Sequence, residues 1–223
     1  MADQTQRTER RRDALSKPRI VEAAINILDT DGESGLTFRA LAARLTTGSG
    51  AIYWHVADKN ELLAAAADEI IGRALAGVAH DAEPTDAIRA LALGVFDAID
   101  AHPWTGAQLA REPWRPAMLQ ISEGVGSRLL ALGVPKAALF DCWSALVNYI
   151  LGVAGQNAAH ARLLPRETDR SAFLAAVADR WAQLDLAKHP FLRQMTTELR
   201  DHDDREQFLA GVDLIIAGIG AIR

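Results

Sequence analysis

Tyr53, Trp54 and His55 stand side by side in a chain whose aromatic residues make up only 6% of the total. A phenolic hydroxyl and an imidazole carry polar tips that suit phosphate oxygens and base edges. Gly48 and Gly50 precede these rings, and each glycine lowers helix propensity by about 1 kcal/mol relative to alanine. That cost has a use where backbone N–H groups must come close to a phosphate. The residue types therefore indicate contact with a polyanion.

An aromatic cluster that packs a small core is the alternative interpretation of the same residues. Helical spacing lets Ile52 and Val56 pack inward while Tyr53 and His55 lean outward. For Tyr53 and His55 the spacing alone favours neither interpretation. For Trp54 we favour the core, because its side chain is large and mostly apolar and follows Ile52 closely.

Two short predicted helices, Thr37–Leu45 and Ser49–Val56, position these side chains. Only a few residues join them, which is the spacing of a helix-turn-helix. An amphipathic helix over residues 16–31 precedes the pair, with Pro18 in its first turn and Gly32 closing it. Thr37 is predicted to be the N-cap of the second helix. Asp58 and Glu61 have the spacing of a capping box, which predicts the start of a fourth helix.

The rest of the chain predicts longer helices and no strands. Apolar residues at helical spacing follow Pro84, and a long apolar segment runs from Pro135 to about Leu163. A last helix spans Asp204 to Ile222 and is apolar on more than one face. Sustained β-branched alternation and Asn-Gly turns are missing from the sequence. We therefore predict an all-α protein with a small N-terminal unit and a larger C-terminal bundle.

Charge is unevenly distributed along the 223 residues, although the net charge is −5. Residues 1–60 carry a net charge of +1, with six cations crowded at Arg7–Arg19, whereas residues 61–223 carry −6. A basic arm ahead of an acidic body suits binding a polyanion through one end, and a merely solubilising tail is the alternative. The single Cys142 excludes an internal disulfide and fits a reducing cytoplasm. The composition predicts no secretory signal and no transmembrane helix.

Residues suited to catalysis or metal binding do not form a recognisable set. Cys142 has no evident base partner, the six histidines are scattered, and the HExxH, Walker and GxSxG motifs are missing. One cysteine and dispersed histidines do not make a tetrahedral metal site. A cavity holding Asp141 and His160 is the remaining route to acid–base chemistry. We predict no enzyme activity, no metal site and no cofactor.

The segments "GLTFRALAARL" and "GSGAIYWHVADKNELL" strongly resemble the DNA-binding domain of the TetR family of bacterial transcriptional regulators. The resemblance covers residues 17–63. It departs at the turn after Leu45, where Thr46-Thr47 replaces the usual Gly-Val. It implies a basic arm at residues 1–16, a helix-turn-helix domain at 17–63, and a ligand-binding and dimerisation domain at 64–223. The fourth helix, from about residue 59, is expected to link the two domains.

The resemblance also implies a set of DNA contacts. Arg39 is expected to reach a base, most often guanine, through its bidentate fork. Ser49, Gly50 and Tyr53 are expected to lie against bases or phosphates. The phosphate backbone would be held by Thr37, His55 and Lys59.

Residues 80–223 resemble the tetracycline-repressor-like C-terminal type more weakly. This resemblance implies that the long helix and the last helix form a four-helix bundle with a second copy, an intramolecular core being the alternative. The residues predicted to line its ligand cavity are Phe96, His102, Trp104, Trp114, Trp143, Asn148, Tyr149, Gln156 and Trp181. Asn148 and Gln156 stand where a histidine and an acid would hold a tetracycline-bound metal. An apolar or aromatic effector is therefore the prediction.

Together these features predict a cytoplasmic repressor that binds double-stranded operator DNA as a homodimer, without membrane association. An unidentified small molecule would release it from DNA. The alternatives are a helical small-molecule-binding module, or an enzyme, in which the helix-turn-helix does not serve DNA.

Overall fold

The computed structural model describes residues 15–79, 82–163 and 170–222, and at 161–163 it describes the backbone only. The basic arm predicted at residues 1–16 lies almost wholly outside these residues. Within them the chain forms only helices. These are α1 (Lys17–Gly35), α2 (Phe38–Arg44), α3 (Ser49–Tyr53), α4 (Lys59–Ala76), α5 (Pro84–Ala101), α6 (Trp104–Leu109), α7 (Pro116–Ala131), α8 (Lys136–Leu163), α9 (Arg170–Ala182), α10 (Pro190–Gln194), α11 (Thr196–Arg200) and α12 (Asp204–Gly220). The predicted all-α class is confirmed.

The chain divides into two compact units, and the first is not continuous in sequence. Unit 1 comprises residues 1–77 together with 104–123, and unit 2 comprises 78–103 together with 124–223. Helix α4 lies wholly within unit 1 and ends one residue before that part of the unit does. The proposed boundary at residue 63 falls inside this helix.

Unit 1 is built on α1, which packs against α2, α4 and α6. Pro18 occupies the first turn of α1, and Gly32 interrupts its helical geometry at φ 70°, ψ −173°, as predicted for the residue that ends the regular helix. The first four helices contribute fully buried residues to one core: Ile20 and Ala24 from α1, Leu41 from α2, Ile52 from α3 and Leu62 from α4. Residues 104–123 complete this core through buried Leu109 and Ile121.

Unit 2 is built on α5, α8 and α12, which pack against one another. Pro84 begins α5 as predicted, and the ring of Phe96 on this helix stacks on Phe208 of α12 at a centroid distance of 4.6 Å. Helices α9, α10 and α11 pack mainly among themselves. The Arg170 guanidinium joins this group to the start of α12 by donating to both Asp204 carboxylate oxygens, at 2.6 and 2.9 Å.

One helix of the described residues, Lys136–His160 within α8, is long and apolar enough to cross a membrane by length and composition alone. The same helix packs against α5 and α12 inside unit 2. Its buried residues, Cys142, Leu146, Ile150 and Ala154, recur at helical spacing and face that packing. Part of the apolar surface of α8 is thus used for packing within unit 2.

Candidate DNA-binding site

The turn between α2 and α3 closes with a Schellman motif whose left-handed position is held by threonine. The Thr47 N–H donates to the Ala42 carbonyl at 2.9 Å, and the Thr46 N–H donates to the Ala43 carbonyl at 3.3 Å. Thr46 has a φ of 53°, the single positive value among the described non-glycine residues. Glycine is the usual residue at this position because a Cβ is crowded there. The unusual Thr46-Thr47 pair therefore leaves the turn geometry intact and strains one residue.

Thr46→Gly is expected to stabilise the protein by about 1 kcal/mol, because the cost of holding a side chain in left-handed geometry exceeds the entropy that glycine loses on folding. Chemical denaturation followed by circular dichroism measures the change. Thr47→Gly is the matched control, since Thr47 has no positive φ, and it should leave stability unchanged or lower it. Equal effects of the two substitutions would show that Thr46 is not strained.

Exposed residues lie along both of the helices that flank this turn. Arg39, Ser49, Gly50 and Tyr53 are all exposed. The Thr37 hydroxyl oxygen accepts the Ala40 N–H at 3.1 Å, which confirms Thr37 as the N-cap of α2. A hydroxyl that accepts in this way keeps its own hydrogen available to a phosphate oxygen. The helix pair thus presents donors to solvent from both of its helices.

A stacked ring fixes the position of Tyr53. The ring of Phe38 lies parallel to that of Tyr53, with centroids 4.3 Å apart and an interplanar angle of 3°. Tyr53 is nevertheless 55% exposed, so the stack covers one face of the ring and leaves its edge open. The sequence placed Tyr53 outward but gave no indication of Phe38 as its support, because the two residues are 15 positions apart.

Trp54 is 89% exposed, so the prediction that it packs into the core is wrong. Ile52 and Val56 are buried as predicted, and they lie four residues apart on one face. Trp54 lies two residues from each and so points away from that face. Helix α3 ends at Tyr53, and the His55 and Val56 N–H groups both donate to the Ile52 carbonyl, which carries Trp54 on an exposed final turn. A helical wheel would have found this exposure.

Four hydrogen bonds hold the segment that follows α3 and the start of α4. The Glu61 N–H donates to Asp58 Oδ1 at 2.8 Å, which confirms the cap of α4, and the Glu61 carboxylate accepts from the Ala57 N–H at 2.8 Å and from Lys17 Nζ at 2.7 Å. The Lys17 ammonium, and then the Ala57 N–H, lower the pKa of the Glu61 carboxyl below its ordinary value. Lys59 Nζ donates to the Glu33 carbonyl at 2.5 Å, and both Lys59 and His55 are half-buried.

The residues predicted to line a ligand cavity are divided between the two units. Trp104 and Trp114 belong to unit 1. Trp104 is buried there and donates its Nε1–H to Asp29 Oδ1 at 2.8 Å, whereas Trp114 is 67% exposed. The other seven belong to unit 2: Phe96, His102, Trp143, Asn148, Tyr149, Gln156 and Trp181.

In unit 2, Phe96 and Tyr149 both stack on Phe208, and Tyr149 Oη donates to the Phe208 carbonyl at 3.1 Å. Burial raises the pKa of the Tyr149 phenol above its ordinary value. Asn148 and Gln156 are exposed, while His102, Trp143 and Trp181 are half-buried. Across residues 15–79, 82–163 and 170–222, the acidic, histidine and cysteine side chains form no group of three or more that could hold a metal ion.

Two protein-family models match the chain along most of its length. Residues 20–66 match the family described as bacterial regulatory proteins, tetR family, which takes in the turn, both of its helices and the start of α4. Residues 81–223 match the tetracyclin repressor-like C-terminal domain. The chain belongs to the TetR family. This membership confirms the resemblance and assigns the chain to regulators rather than to enzymes.

Two curated relatives match the chain over part of their own length. An HTH-type transcriptional regulator of Saccharopolyspora erythraea is 32% identical over 148 residues, which make up 66% of this chain and 63% of the relative. The HTH-type transcriptional repressor DrrR1 of Streptomyces coeruleorubidus is 28% identical over 162 residues, or 70% of this chain and 57% of the relative. The chain thus covers less than two thirds of either relative.

A solved TetR structure superposes on nearly the full length of this chain. The transcriptional regulator SCO7222, a TetR from Streptomyces coelicolor, is 50% identical and superposes with a TM-score of 0.85. The match covers 94% of this chain and 99% of that one. The helical architecture described above is therefore that of TetR proteins.

Proposed function

We propose that this TetR-family protein is a cytoplasmic transcriptional repressor that binds palindromic operator DNA as a homodimer and is released by a small apolar or aromatic effector. The observation that carries the proposal is the helix pair α2–α3, which exposes Arg39 on α2, and Ser49 and Tyr53 on α3, on the two sides of a hydrogen-bonded turn. A relative named as a transcriptional repressor supports the direction of regulation.

Each residue of the predicted DNA-contact set has a proposed role at the DNA surface. Arg39 reads a base through its two-pronged guanidinium. Ser49 and Gly50 approach bases or phosphates at the start of α3, where a Cβ on Gly50 would meet no atom within 4 Å. Thr37, His55 and Lys59 contact phosphates, with Lys59 keeping donors beyond the one that it gives to Glu33.

Two aromatic side chains and the basic arm complete the proposed DNA surface. Tyr53 contacts a base or a phosphate, and Trp54 joins the set because of its exposure. The arm at residues 1–16, which carries Arg10, Arg11 and Arg12, adds phosphate contacts.

The first test is fluorescence anisotropy with labelled DNA from the region upstream of the protein's own coding sequence. Tyr53→Ala should weaken saturable binding at least tenfold, because it removes the hydroxyl and the ring stacked on Phe38. Binding should also fall steeply between two salt concentrations, since phosphate contacts release counterions. Weak binding that is equal in both proteins and abolished by salt would favour the alternative, a helical small-molecule-binding module or an enzyme.

We infer the dimer from the faces that α8 and α12 leave exposed within one chain. These faces expose small or apolar residues at Ala145, Gly152, Ala159, Ala210, Leu214, Ala217 and Gly218, with Asn148 and Gln156 beside them on α8. A Cβ built on Gly152, Gly155 or Gly218 would meet no atom of the chain within 4 Å. A four-helix bundle with a second copy would cover both faces. The dimer would also place two helix-turn-helix units on half-sites about 34–36 Å apart or a multiple of that distance.

Leu214→Glu is expected to raise the dimer dissociation constant at least tenfold while each chain stays folded. Leu214 is 75% exposed in the single chain, so the charge costs little there and is buried only at the proposed interface. Sedimentation velocity across a concentration series measures the shift, with circular dichroism as the check on folding. Leu186→Glu introduces the same charge at an exposed leucine outside α8 and α12. Dissociation by both variants alike would contradict the assignment.

The effector site is proposed for residues 64–223, since residues 81–223 match the tetracyclin repressor-like C-terminal domain. Within unit 2 the half-buried Trp143, Tyr149 and Trp181 are the aromatic residues best placed to meet a ligand. Effector and operator must oppose each other thermodynamically if the effector causes release, because the coupling between two sites is reciprocal. Equal operator affinity with and without a saturating effector would exclude this mechanism.

A further inference from the structure

A small polar cleft in unit 1 lies between the first two turns of α4 and the segment that joins α6 to α7. Its volume is 180 Å³, and its lining consists of Asn60, Ala64, Gln108, Arg111, Glu112 and Arg115. A cavity of about 150 Å³ holds benzene, whereas sites for drug-sized ligands begin near 300 Å³. The cleft therefore suits a small molecule, and none of its lining residues belongs to the proposed DNA or effector contacts.

Gln108 brings a buried hydrogen-bond donor to this cleft. The residue is only 8% exposed, its Oε1 accepts from Arg111 Nη1 at 3.3 Å, and its Nε2 donates to no group of the described residues. A buried amide left without a partner costs about 1–3 kcal/mol, and such groups are few in native proteins. Gln108 Nε2 is thus a donor without a partner, in a residue that lines the cleft.

Arg115 supplies a second buried donor with poor internal partners. Its Nε makes no hydrogen bond among the described residues, and the nearest carboxylate oxygens are Glu112 Oε2 at 3.7 Å and Asp68 Oδ2 at 3.8 Å. Asp68 lines the neighbouring cleft and accepts the Ala117 N–H at 3.0 Å through its other oxygen. The guanidinium fork is the group that best matches a planar carboxylate.

The charges of the lining define the kind of anion. Arg111 and Arg115 are cationic and Glu112 is anionic, so the six lining residues carry a formal charge of +1. A monoanion balances that charge, whereas a phosphate dianion would be repelled by Glu112. Ala64 adds an apolar contact for a short tail or a single ring.

We propose that this cleft is a binding site for a small monocarboxylate, held by the Gln108 amide and by the Arg111 and Arg115 guanidinium groups. The proposal is independent of the DNA-binding function, because it concerns ligand binding to the isolated protein. Waters alone are the competing occupant, and they would satisfy Gln108 without selecting a carboxylate.

The test is a thermal-shift titration of the full chain with sodium butyrate and sodium benzoate, against sodium chloride at equal ionic strength. Calorimetry on the same samples gives the dissociation constant. One of the carboxylates should raise Tm saturably beyond the chloride baseline, as expected for a ligand that binds only the folded state. Gln108→Leu and Arg111→Gln should each raise the half-saturating concentration at least tenfold. Lys188→Gln, which removes an exposed cation from unit 2, should leave it unchanged.

Gln108→Leu is suited to this test because it removes a buried Nε2 donor that has no partner and gives up only the 3.3 Å hydrogen bond from the exposed Arg111, so it should change the stability of the fold little. Arg111 is exposed, so its substitution also leaves the core intact. The proposal is overturned if no carboxylate exceeds chloride, or if Gln108→Leu binds as wild type does. A stronger, Arg111-dependent response to sodium phosphate would overturn the assignment to a carboxylate.

Discussion

Gly211→Ala is expected to lower the free energy of unfolding by about 1–3 kcal/mol, the range for methyl groups forced into a packed core. A Cβ on Gly211 would lie 1.8 Å from Tyr149 Oη, 2.3 Å from its Cζ and 2.9 Å from its Cε2. The Tyr149 ring cannot move aside freely, because it stacks on Phe208 and its hydroxyl donates to the Phe208 carbonyl. Either that hydrogen bond and stack are lost, or α8 and α12 separate. Urea denaturation followed by circular dichroism measures the loss.

Gly126→Ala is the matched control, because it also replaces a helical glycine of unit 2 by alanine. Its Cβ would meet Trp143 Cδ1 at an ordinary 3.9 Å. Alanine is a better helix former than glycine by about 1 kcal/mol, so this control should stabilise the protein. Adding Tyr149→Ala should remove most of the effect of Gly211→Ala, as a double-mutant cycle would show. An unchanged cost without the Tyr149 ring would place the strain elsewhere.

Arg39→Ala is expected to weaken operator binding by about 1–3 kcal/mol and to relax specificity at one base pair. The physical reason is the loss of a bidentate contact to a base, for which the exposed position of Arg39 on α2 leaves room. Anisotropy titrations with the operator and with random DNA of equal length give the specificity ratio. That ratio should fall with the substitution.

Arg44→Ala removes the same charge from the last turn of α2 and serves as the control. Its effect should be similar on operator and random DNA, since a cation that contacts no base carries no sequence information. If Arg39→Ala also weakened both DNAs equally, then Arg39 would be a phosphate contact and another residue would read the base.

Local sequence rules predicted much of the fold. Thr37 and Asp58 cap their helices through the predicted side-chain contacts, and Pro84 and Gly32 punctuate the chain as predicted. These signals are reliable because a cap or a glycine acts within three or four residues of itself. The burial of Ile52 and Val56 followed from the helical period in the same way.

Features that depend on residues far apart in sequence could not be predicted. The Phe38–Tyr53 stack and the contact of Tyr149 with Gly211 need tertiary packing to exist. The hydrogen bond from Trp104 to Asp29, 75 residues earlier, is a further contact of this kind. The left-handed Thr46 was hidden for another reason, since a β-branched residue is the last to be expected at positive φ.

Because unit 1 is built from two separate segments of the chain, it cannot be moved to another protein as one continuous fragment. A graft of residues 1–77 onto another protein would leave behind residues 104–123, and with them Leu109, Ile121 and the tryptophan that binds Asp29. The grafted residues 1–77 would expose the apolar surface of α1 and α4 that packs against α6 in this protein. A chimaera made with a single crossover would therefore lose part of this core. A stable chimaera requires residues 1–77 and 104–123 from the same parent.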